Sequence, residues 1–253
     1  MKKNIVKNTV FNWFKFRNET TEIIRKKIAE TKAALNPLTI ETYQKMFTKH
    51  TDGDKMDGMF SLSTCPTLNY LCILRSNIDG LICKHCYSMT MNKRFKNLRS
   101  KLEKNTVYLT ESIIPYENIP FLNFLLFRLE SFGDLQNEIQ AINYLNLIRK
   151  NPQTLFAWWS KNPKFIKSAL DTLGIEKPQN VQIIFSSPCM NTPIQIEILT
   201  KVFPFIDKVF TVFDRDYLAK HPEIEINCGS RKCRECQNCY HPDGNIQVNE
   251  MVK

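Results

Sequence analysis

Short apolar segments recur along the middle of the chain and are separated by longer amphipathic ones. The pattern predicts five strands, at residues 59–64, 121–131, 154–159, 181–185 and 208–213. Each segment is a continuous apolar run, as expected of a strand that is buried on both faces. Strands that alternate with helices of about ten to fifteen residues indicate β-α-β units and a parallel sheet.

The amphipathic segments predict the helices that connect these strands. They lie at residues 87–104, 135–149, 163–173 and 193–201, and two more precede the first strand, at about 19–36 and 39–49. The chain after residue 59 is too short for the eight units of a complete barrel. We therefore expect an α/β fold, either a partial (β/α) barrel or an open parallel sheet of about five to six strands. The expected parts are a basic helical N-terminal extension at 1–57, an α/β domain at 58–226 and a cysteine-rich tail at 227–253.

Polar residues and cysteines follow the predicted strands at the point where each strand ends. They are Cys65 after the first strand, Gly133 and Asp134 after the second, Ser160 and Lys161 after the third, Ser186, Ser187 and Cys189 after the fourth, and Asp214 and Arg215 after the fifth. The carboxyl ends of parallel strands meet at one edge of the sheet, which is where α/β proteins bind ligands. The pattern therefore predicts a binding site at this edge.

Four of the nine cysteines lie close together near the end of the chain. They are Cys228, Cys233, Cys236 and Cys239. Thiols at such short spacing are typical of [4Fe–4S] ligands. Zinc is the alternative, although its all-cysteine sites are usually built from two separate Cys-x2-Cys pairs. We therefore expect a metal centre in the tail, and we favour an iron–sulfur cluster over zinc.

A second group of cysteines lies on the loop that follows the first predicted strand. Its members are Cys65, Cys72, Cys83 and Cys86. In a reducing compartment clustered cysteines are more often metal ligands or redox groups than disulfides, and an odd total argues against a complete disulfide framework. We therefore predict a metal centre here too, and we expect the ninth cysteine, Cys189, to be a small buried apolar residue.

The chain is strongly basic, with a formal net charge of +10. Such a charge suits a polyanionic partner, nucleic acid above all. The basic helix that supports this partner carries Lys93, Arg94, Lys96, Arg99 and Lys101. No apolar run approaches the roughly 20 residues that a membrane helix needs, and the N-terminus lacks the apolar core of a secretory signal. We therefore expect a cytoplasmic protein with no membrane partner.

Several short motifs follow one another in a distinctive order. They are Cys65-Pro66, Cys86-Tyr87, Arg128-Leu129 with Gly133-Asp134, the aromatic Trp158-Trp159-Ser160-Lys161, and the closing four-cysteine run. Together they resemble the phage gene product 88 family, which is regarded as similar to radical S-adenosylmethionine proteins. The resemblance covers about residues 59–241 and leaves the N-terminal helices outside it. It implies a radical-SAM-like fold and, for a phage-encoded protein, the host cytoplasm.

The resemblance also implies a cofactor. In radical S-adenosylmethionine proteins three cysteines hold three irons of a [4Fe–4S] cluster, and the fourth iron binds the amino and carboxylate groups of S-adenosylmethionine. By the resemblance, Cys65, Cys83 and Cys86 would hold this cluster and the tail an auxiliary one, so that one or two clusters are expected. A site in which Cys72 was a fourth ligand would be saturated and could not bind the cofactor.

The cofactor contacts are also implied by the resemblance. Gly133 and Asp134 would meet the amino group of S-adenosylmethionine, with Glu130 as a nearby alternative. Ser160 and Lys161 would lie beside them at the end of the next strand. For Asp134 a second interpretation is the cap of a helix that begins at the following residue.

Three functions are open at this point. The first is an enzyme that cleaves S-adenosylmethionine reductively to modify an unknown substrate by radical chemistry. The second is a non-catalytic iron–sulfur or zinc protein that binds nucleic acid, and the third is a structural protein stapled by metal. The number of upstream ligands separates them, because three thiols leave an iron open for chemistry whereas four close the site.

Overall fold

A seven-stranded sheet organises the chain. The computed structural model describes residues 2–51 and 55–252, with side chains from residue 15 onward. The strands are β1 (Thr48–Lys49), β2 (Phe60–Leu62), β3 (Leu126–Leu129), β4 (Leu155–Ser160), β5 (Val181–Ser186), β6 (Lys208–Phe213) and β7 (Gln247–Met251). Each strand pairs with the next one along the chain, and β1 and β7 form the two edges of an open sheet. All pairs are parallel except β1 with β2.

The sheet corrects the expectation of five to six strands. The two additional strands are the edges, and they lie in the segments predicted as a helical extension and a cysteine-rich tail. β1 has two residues, too few for any hydrophobic period to show. β7 has one fully buried apolar residue, Val248, among polar ones. Neither strand has the continuous apolar pattern that marks the other five.

The helices connect the strands in the expected order. They are α1 (Lys2–Ala33), α2 (Ile40–Lys45), α3 (Tyr70–Ser76), α4 (Tyr87–Arg94), α5 (Lys96–Thr110), α6 (Glu138–Lys150), α7 (Pro163–Leu173), α8 (Ile196–Thr200), α9 (Arg215–Lys220) and α10 (Cys233–Cys236). The basic stretch expected as one helix divides at Phe95, whose backbone is extended with a φ of −113°. Within the described chain no helix has the length and the apolar character needed to cross a membrane.

One face of the sheet is covered by helices. The side chains of Phe127, Phe156 and Trp158 point to this face and are fully enclosed by apolar residues of α5, α6 and α7. Tyr43 of α2 is fully buried in the same cluster. The N-terminal segment therefore contributes to the main core.

The opposite face, called the inner face below, is covered by the end of the chain. Trp159 of β4 and Phe210 of β6 point to this face. Val248 of β7 lies beside Phe210 in the sheet. Tyr240 of the tail packs in the same cluster, as do partly buried cysteines of the tail. Burial on both faces explains the continuous apolar runs of the central strands, and it brings the tail thiols onto the inner face.

Candidate metal centres

Three upstream cysteines lie on elements that the structure holds firmly in place. Cys72 is in the first turn of α3, which begins there because Asn69 Oδ1 accepts hydrogen bonds from the backbone N–H of Leu71 at 2.9 Å and of Cys72 at 3.3 Å. Cys83 lies in a short 3₁₀ turn, and Cys86 immediately precedes α4. This loop is attached to the end of β5, because the N–H of Ile82 donates to the Pro188 carbonyl at 2.9 Å.

The thiols of Cys72, Cys83 and Cys86 share one electrostatic environment. Burial raises the pKa of Cys72 well above its usual value, and the charges of Asp134, Cys86 and Cys83 raise it further. Burial also raises the pKa of Cys83, whereas the nearby ammonium of Lys161 lowers it. The three thiols therefore lie within electrostatic reach of one another, beside a lysine at the end of β4.

Cys65 lies in a different environment. Its side chain is fully buried among Leu102, Phe132 and other apolar residues, and its Sγ atom lies 3.1 Å from Thr67 Oγ1. Its backbone N–H donates to Thr106 Oγ1 at 2.8 Å. The structure thus brings together three of the four upstream cysteines, and it packs Cys65 as a small apolar residue would be packed.

Asp134 joins three elements at the carboxyl edge of the sheet. Its Oδ1 accepts from the hydroxyl of Ser160 at 2.7 Å, and both carboxylate oxygens lie 3.2 Å from the N–H of Lys161. Arg75 of α3 completes the arrangement with a 3.5 Å ion pair. The interpretation of Asp134 as a helix cap is wrong, because α6 begins three residues later than expected and is capped by Asn137.

Gly133 allows the ends of β2 and β3 to approach closely. Its φ is +76°, and a Cβ atom at this position would lie 2.5 Å from the carbonyl oxygen of Thr64. Its N–H lies 3.3 Å from the hydroxyl of Ser88 in α4. The glycine is therefore needed for backbone packing beneath the thiol loop.

Lys161 presents its ammonium beside the three thiols. Its Nζ donates to the hydroxyl of Ser186 at the end of β5, at 3.0 Å. Its backbone is held by Asp134, as described above. The predicted contacts Ser160 and Lys161 therefore lie together at the carboxyl edge. The charge of Lys161 lowers the pKa of the Cys72 and Cys83 thiols, and that of Arg75 also lowers the pKa of Cys83.

Glu130 is enclosed below this edge. It has a φ of +57°, and its Oε1 accepts from Tyr144 at 2.5 Å, from Gln140 at 2.6 Å and from Thr64 at 3.1 Å. Burial raises the pKa of this carboxyl to about 8. Glu130 therefore ties β3 to α6, and its carboxylate is already occupied by donors from the protein.

The four tail thiols line one cavity on the inner face. The cavity is also lined by Lys55, Arg128, Trp159 and Tyr240. Cys233 begins α10, where its N–H donates to the Lys55 carbonyl at 2.6 Å. Gln237 ends this short helix in the left-handed region, with a φ of +52°. The N–H of Cys228 donates to the carbonyl of Asn249 in β7 at 3.0 Å, so the thiol run is attached to the rest of the fold at Cys228 and at Cys233.

Cations surround the tail thiols. Burial raises the pKa of Cys239 to about 12, and the guanidinium of Arg128 opposes this shift. Lys55 Nζ lies 3.6 Å from the sulfur of Cys228, and Arg231 Nη2 lies 3.7 Å from the sulfur of Cys236. Positive charges therefore lie where thiolates bound to a metal would carry negative charge.

The comparison with protein families identifies the chain. The model of the gene product 88 family matches residues 15–248. The chain belongs to the gene product 88 family. The match includes most of α1 and all of α2, which corrects the expectation that the N-terminal helices lie outside the family. Searches of curated proteins and of solved structures found no match.

The donor chemistry of this gene product 88 chain fits thiolate metal centres. Thiolates are the ligands that zinc and iron–sulfur clusters prefer. In residues 2–51 and 55–252, no three His, Cys, Asp or Glu side chains are already drawn around a common point as ligands. The fit therefore rests on the chemistry of the thiols, on their grouping into three and four, and on the cations beside them.

A buried polar network in this gene product 88 chain was not predicted from the sequence. The hydroxyls of Ser61 and Ser63 lie 2.7 Å and 3.0 Å from that of Ser131, and His50 Nε2 lies 3.0 Å from Ser61 Oγ. The hydroxyl of Tyr87 donates to the Ser131 carbonyl. The network ties β2 to the end of β3 beneath the thiol loop. The serines at alternate positions of β2 were the one available signal, and they gave no indication of their partners.

Proposed function

We propose that this member of the gene product 88 family is an iron–sulfur protein of the radical S-adenosylmethionine type. The observation that supports the proposal most strongly is the grouping of Cys72, Cys83 and Cys86, without Cys65, at the carboxyl edge of a parallel sheet. Three thiolate ligands leave one position of a [4Fe–4S] cluster open. A reduced cluster held by these thiols would supply one electron to break a carbon–sulfur bond of bound S-adenosylmethionine, which would give methionine and a carbon radical that takes a hydrogen atom from a substrate.

Some of the protein's own residues neutralise charge at this centre, and others hold those residues in position. Lys161 and Arg75 are cations beside the thiols, so they offset thiolate charge and suit the carboxylate group of a cofactor. Asp134 holds both of them, and its oxygens already accept hydrogen bonds from the end of β4. We therefore assign Gly133, Asp134 and Ser160 to positioning, and we assign Lys161 to the cofactor's carboxylate.

The tail supplies a second, closed centre in this proposal. Four thiols on one cavity saturate either a [4Fe–4S] cluster or a zinc ion, so neither would have an open position. We propose an auxiliary iron–sulfur cluster, with zinc as the alternative. The nine cysteines are all free thiols in the described chain, which suits a reducing cytoplasm, that of the host for a phage-encoded protein.

Anaerobic reconstitution with iron and sulfide tests the proposal. The wild type is expected to bind about eight irons, with equal labile sulfide and broad visible absorption. The variant C72A/C83A/C86A and the variant C228A/C233A/C236A/C239A are each expected to retain about four irons. C65A and C189A are the matched controls and should retain all of them. S-adenosylmethionine should alter the electron paramagnetic resonance spectrum of the reduced protein when the upstream thiols are intact.

Two outcomes would overturn parts of this proposal. Protein that binds zinc and no sulfide, even when iron is supplied, would exclude the radical mechanism and leave a zinc-stapled protein. Loss of the upstream cluster in C65A, with retention in the Cys72 single variant, would show that Cys65 and not Cys72 is the ligand.

A second candidate function, binding of single-stranded nucleic acid, is favoured by the surface of α4 and α5. Residues 87–102 contain five Lys or Arg and no Asp or Glu. Phe95, at the junction of the two helices, is 44% exposed, and the guanidinium of Arg94 lies 5.7 Å from its ring centroid. Proteins bind single strands through cations and exposed aromatic rings on which bases stack. α4 starts next to Cys86 and, with eight residues, is about 12 Å long, so a strand bound there would lie near the thiols.

Fluorescence anisotropy with a labelled single-stranded oligonucleotide tests this surface. R94A/F95A is expected to weaken binding at least about ten-fold and to reduce its salt dependence, because a stacking ring and a phosphate contact are removed. The matched control is F121A/K150A, since Lys150 lies 5.1 Å from the exposed Phe121 ring elsewhere on the protein. Equal affinities for both variants and the wild type would refute this binding surface.

A further inference from the structure

Arg128 occupies an unusual position for an arginine. It lies inside β3, in register with Ser61 of β2 and Ala157 of β4, and its side chain is on the inner face. Its guanidinium carbon lies 4.2 Å from the centroid of the Trp159 ring. Its Nε is buried without a hydrogen-bond partner, and none of the ion pairs between described residues involves it. The side chain as a whole is partly buried, and a cation that is partly removed from water without a counter-charge is costly.

The groups that face Arg128 across the cavity are the tail thiols. Arg128 and all four tail cysteines line the same cavity. Trp159 holds the guanidinium by stacking, which fixes its position without cancelling its charge. The arginine is therefore directed at the thiols rather than at a carboxylate.

The other cations of the cavity have different surroundings. Lys55 forms a 2.8 Å ion pair with Glu250, so its charge is largely balanced. Arg231 lies near Cys236, but its side chain is on the exposed surface. Four thiolates around a 2+ centre, whether zinc or an oxidised [4Fe–4S] cluster, leave a net negative charge of about two. Arg128 is thus a partly buried cation of the cavity, without an ion-pair partner among the described residues, whose charge such a centre would balance.

We propose that Arg128 is the built-in counter-cation of a tetrathiolate metal centre in the tail, held in place by stacking on Trp159. The inference rests on the tail centre of the proposed function and assigns a residue to it. Arg128 stabilises the metal-bound tail and is an unbalanced charge in the metal-free protein. Its removal therefore has opposite effects on the two forms.

Cobalt(II) titration of the full chain tests the proposal. Thiolate-to-cobalt absorption reports cobalt that is bound to cysteines. The part of this absorption that is lost in C228A/C233A/C236A/C239A measures binding at the tail. R128M is expected to weaken cobalt binding at the tail by about 10- to 100-fold, as loss of a supporting residue does in other metal sites. R128K should lose less, because it keeps the charge but not the planar stacking group. R215M, which removes an exposed arginine outside this cavity, should bind nearly as the wild type does.

Stability without metal is the second measurement. In urea denaturation with chelator present, R128M should be as stable as the wild type or more so, because an apolar chain replaces an unbalanced cation. A purely structural arginine would instead give an R128M protein that is less stable without metal, and this result would overturn the proposal. Equal cobalt affinity in R128M and the wild type would also overturn the role of Arg128, but it would not contradict the tail metal centre. A wild type without cobalt–thiolate absorption would overturn both the tail centre and the role of Arg128.

Discussion

At the scale of residues, the two carboxylates that follow β3 have different tasks. Asp134 accepts hydrogen bonds from Ser160 and Lys161 at the carboxyl edge, so it positions a cation beside the upstream thiols. Glu130 is enclosed with Tyr144 and Gln140 and faces the helices. Both were predicted as partners of a cofactor's ammonium group, and in the structure the protein's own donors occupy their oxygens.

Glu130 should give the stability of the protein a distinct pH dependence. Its pKa is raised from 4.5 to about 8 in the fold, so between these values the native state retains a proton that the unfolded state has released. The free energy of unfolding should therefore fall as pH rises through this window, by up to about 1.4 kcal/mol per pH unit. The Glu130→Gln variant has no titrating group at this position, so its stability should lack this pH dependence. Urea denaturation from pH 5 to 8 should show the wild type losing stability relative to the variant, and parallel curves would contradict the assignment.

Gly133 should tolerate substitution far less well than Gly174, although both have positive φ values. A Cβ atom at Gly133 would meet Thr64 at 2.5 Å, whereas at Gly174 no atom lies within 4 Å. Gly174→Ala should cost about 1–2 kcal/mol from backbone strain alone. Gly133→Ala adds a steric clash of about 1–3 kcal/mol, and it should also lower iron incorporation at the upstream centre. Similar denaturation midpoints for the two variants would show that the approach of β2 to β3 is not tight.

At the scale of elements, α1 is part of the fold rather than an appendage. Ile24 is 8% exposed and Ile28 packs against the cluster that contains Cys65, whereas Ile23 is 70% exposed. The helix therefore packs through one face, and Lys27 adds an ion pair with Glu103 of α5. The spacing of these isoleucines in the sequence is that of one helical face, but helical periodicity carries no information about what that face packs against.

The adjacent isoleucines of α1 provide a direct test of this packing. Ile24→Ala should lower the free energy of unfolding by about 2–4 kcal/mol, since it removes buried methyl groups and leaves a cavity. Ile23→Ala should change it by less than about 0.5 kcal/mol, because its side chain is exposed. Both substitutions give the same gain in helix propensity, so the difference between their effects on the free energy of unfolding isolates burial. Equal losses would show that α1 does not dock on the body by this face.

At the scale of the whole molecule, local pattern predicted the central sheet and not its edges. Continuous apolar runs identified β2 to β6, and among the polar residues that follow them, hydrogen bonds join Asp134, Ser160, Lys161 and Ser186 at one edge. The pairing of β7 with β6 and the cover that the tail forms over Trp159 depend on contacts between distant segments, so no local pattern reveals them. The same limit applies to the grouping of Cys65 with Cys72, Cys83 and Cys86, because their position on one loop gave no sign that the Cys65 thiol packs in a separate apolar cluster.

The position of the tail predicts what metal removal does to the molecule. The thiol run covers the inner face and is attached to β7 through Cys228 and to residue 55 through Cys233, so metal bound there contributes folding free energy to that layer. Chelation should therefore increase amide hydrogen exchange in residues 227–252 and leave α6 and α7 protected. C72A/C83A/C86A should respond to the chelator as the wild type does, whereas C228A/C233A/C236A/C239A should show the faster exchange before any chelator is added. Faster amide exchange throughout the sheet and in α6 and α7 would instead mean that the metal-bound tail is required for the whole fold. A metal that stabilised only the tail layer could not protect helices on the opposite face.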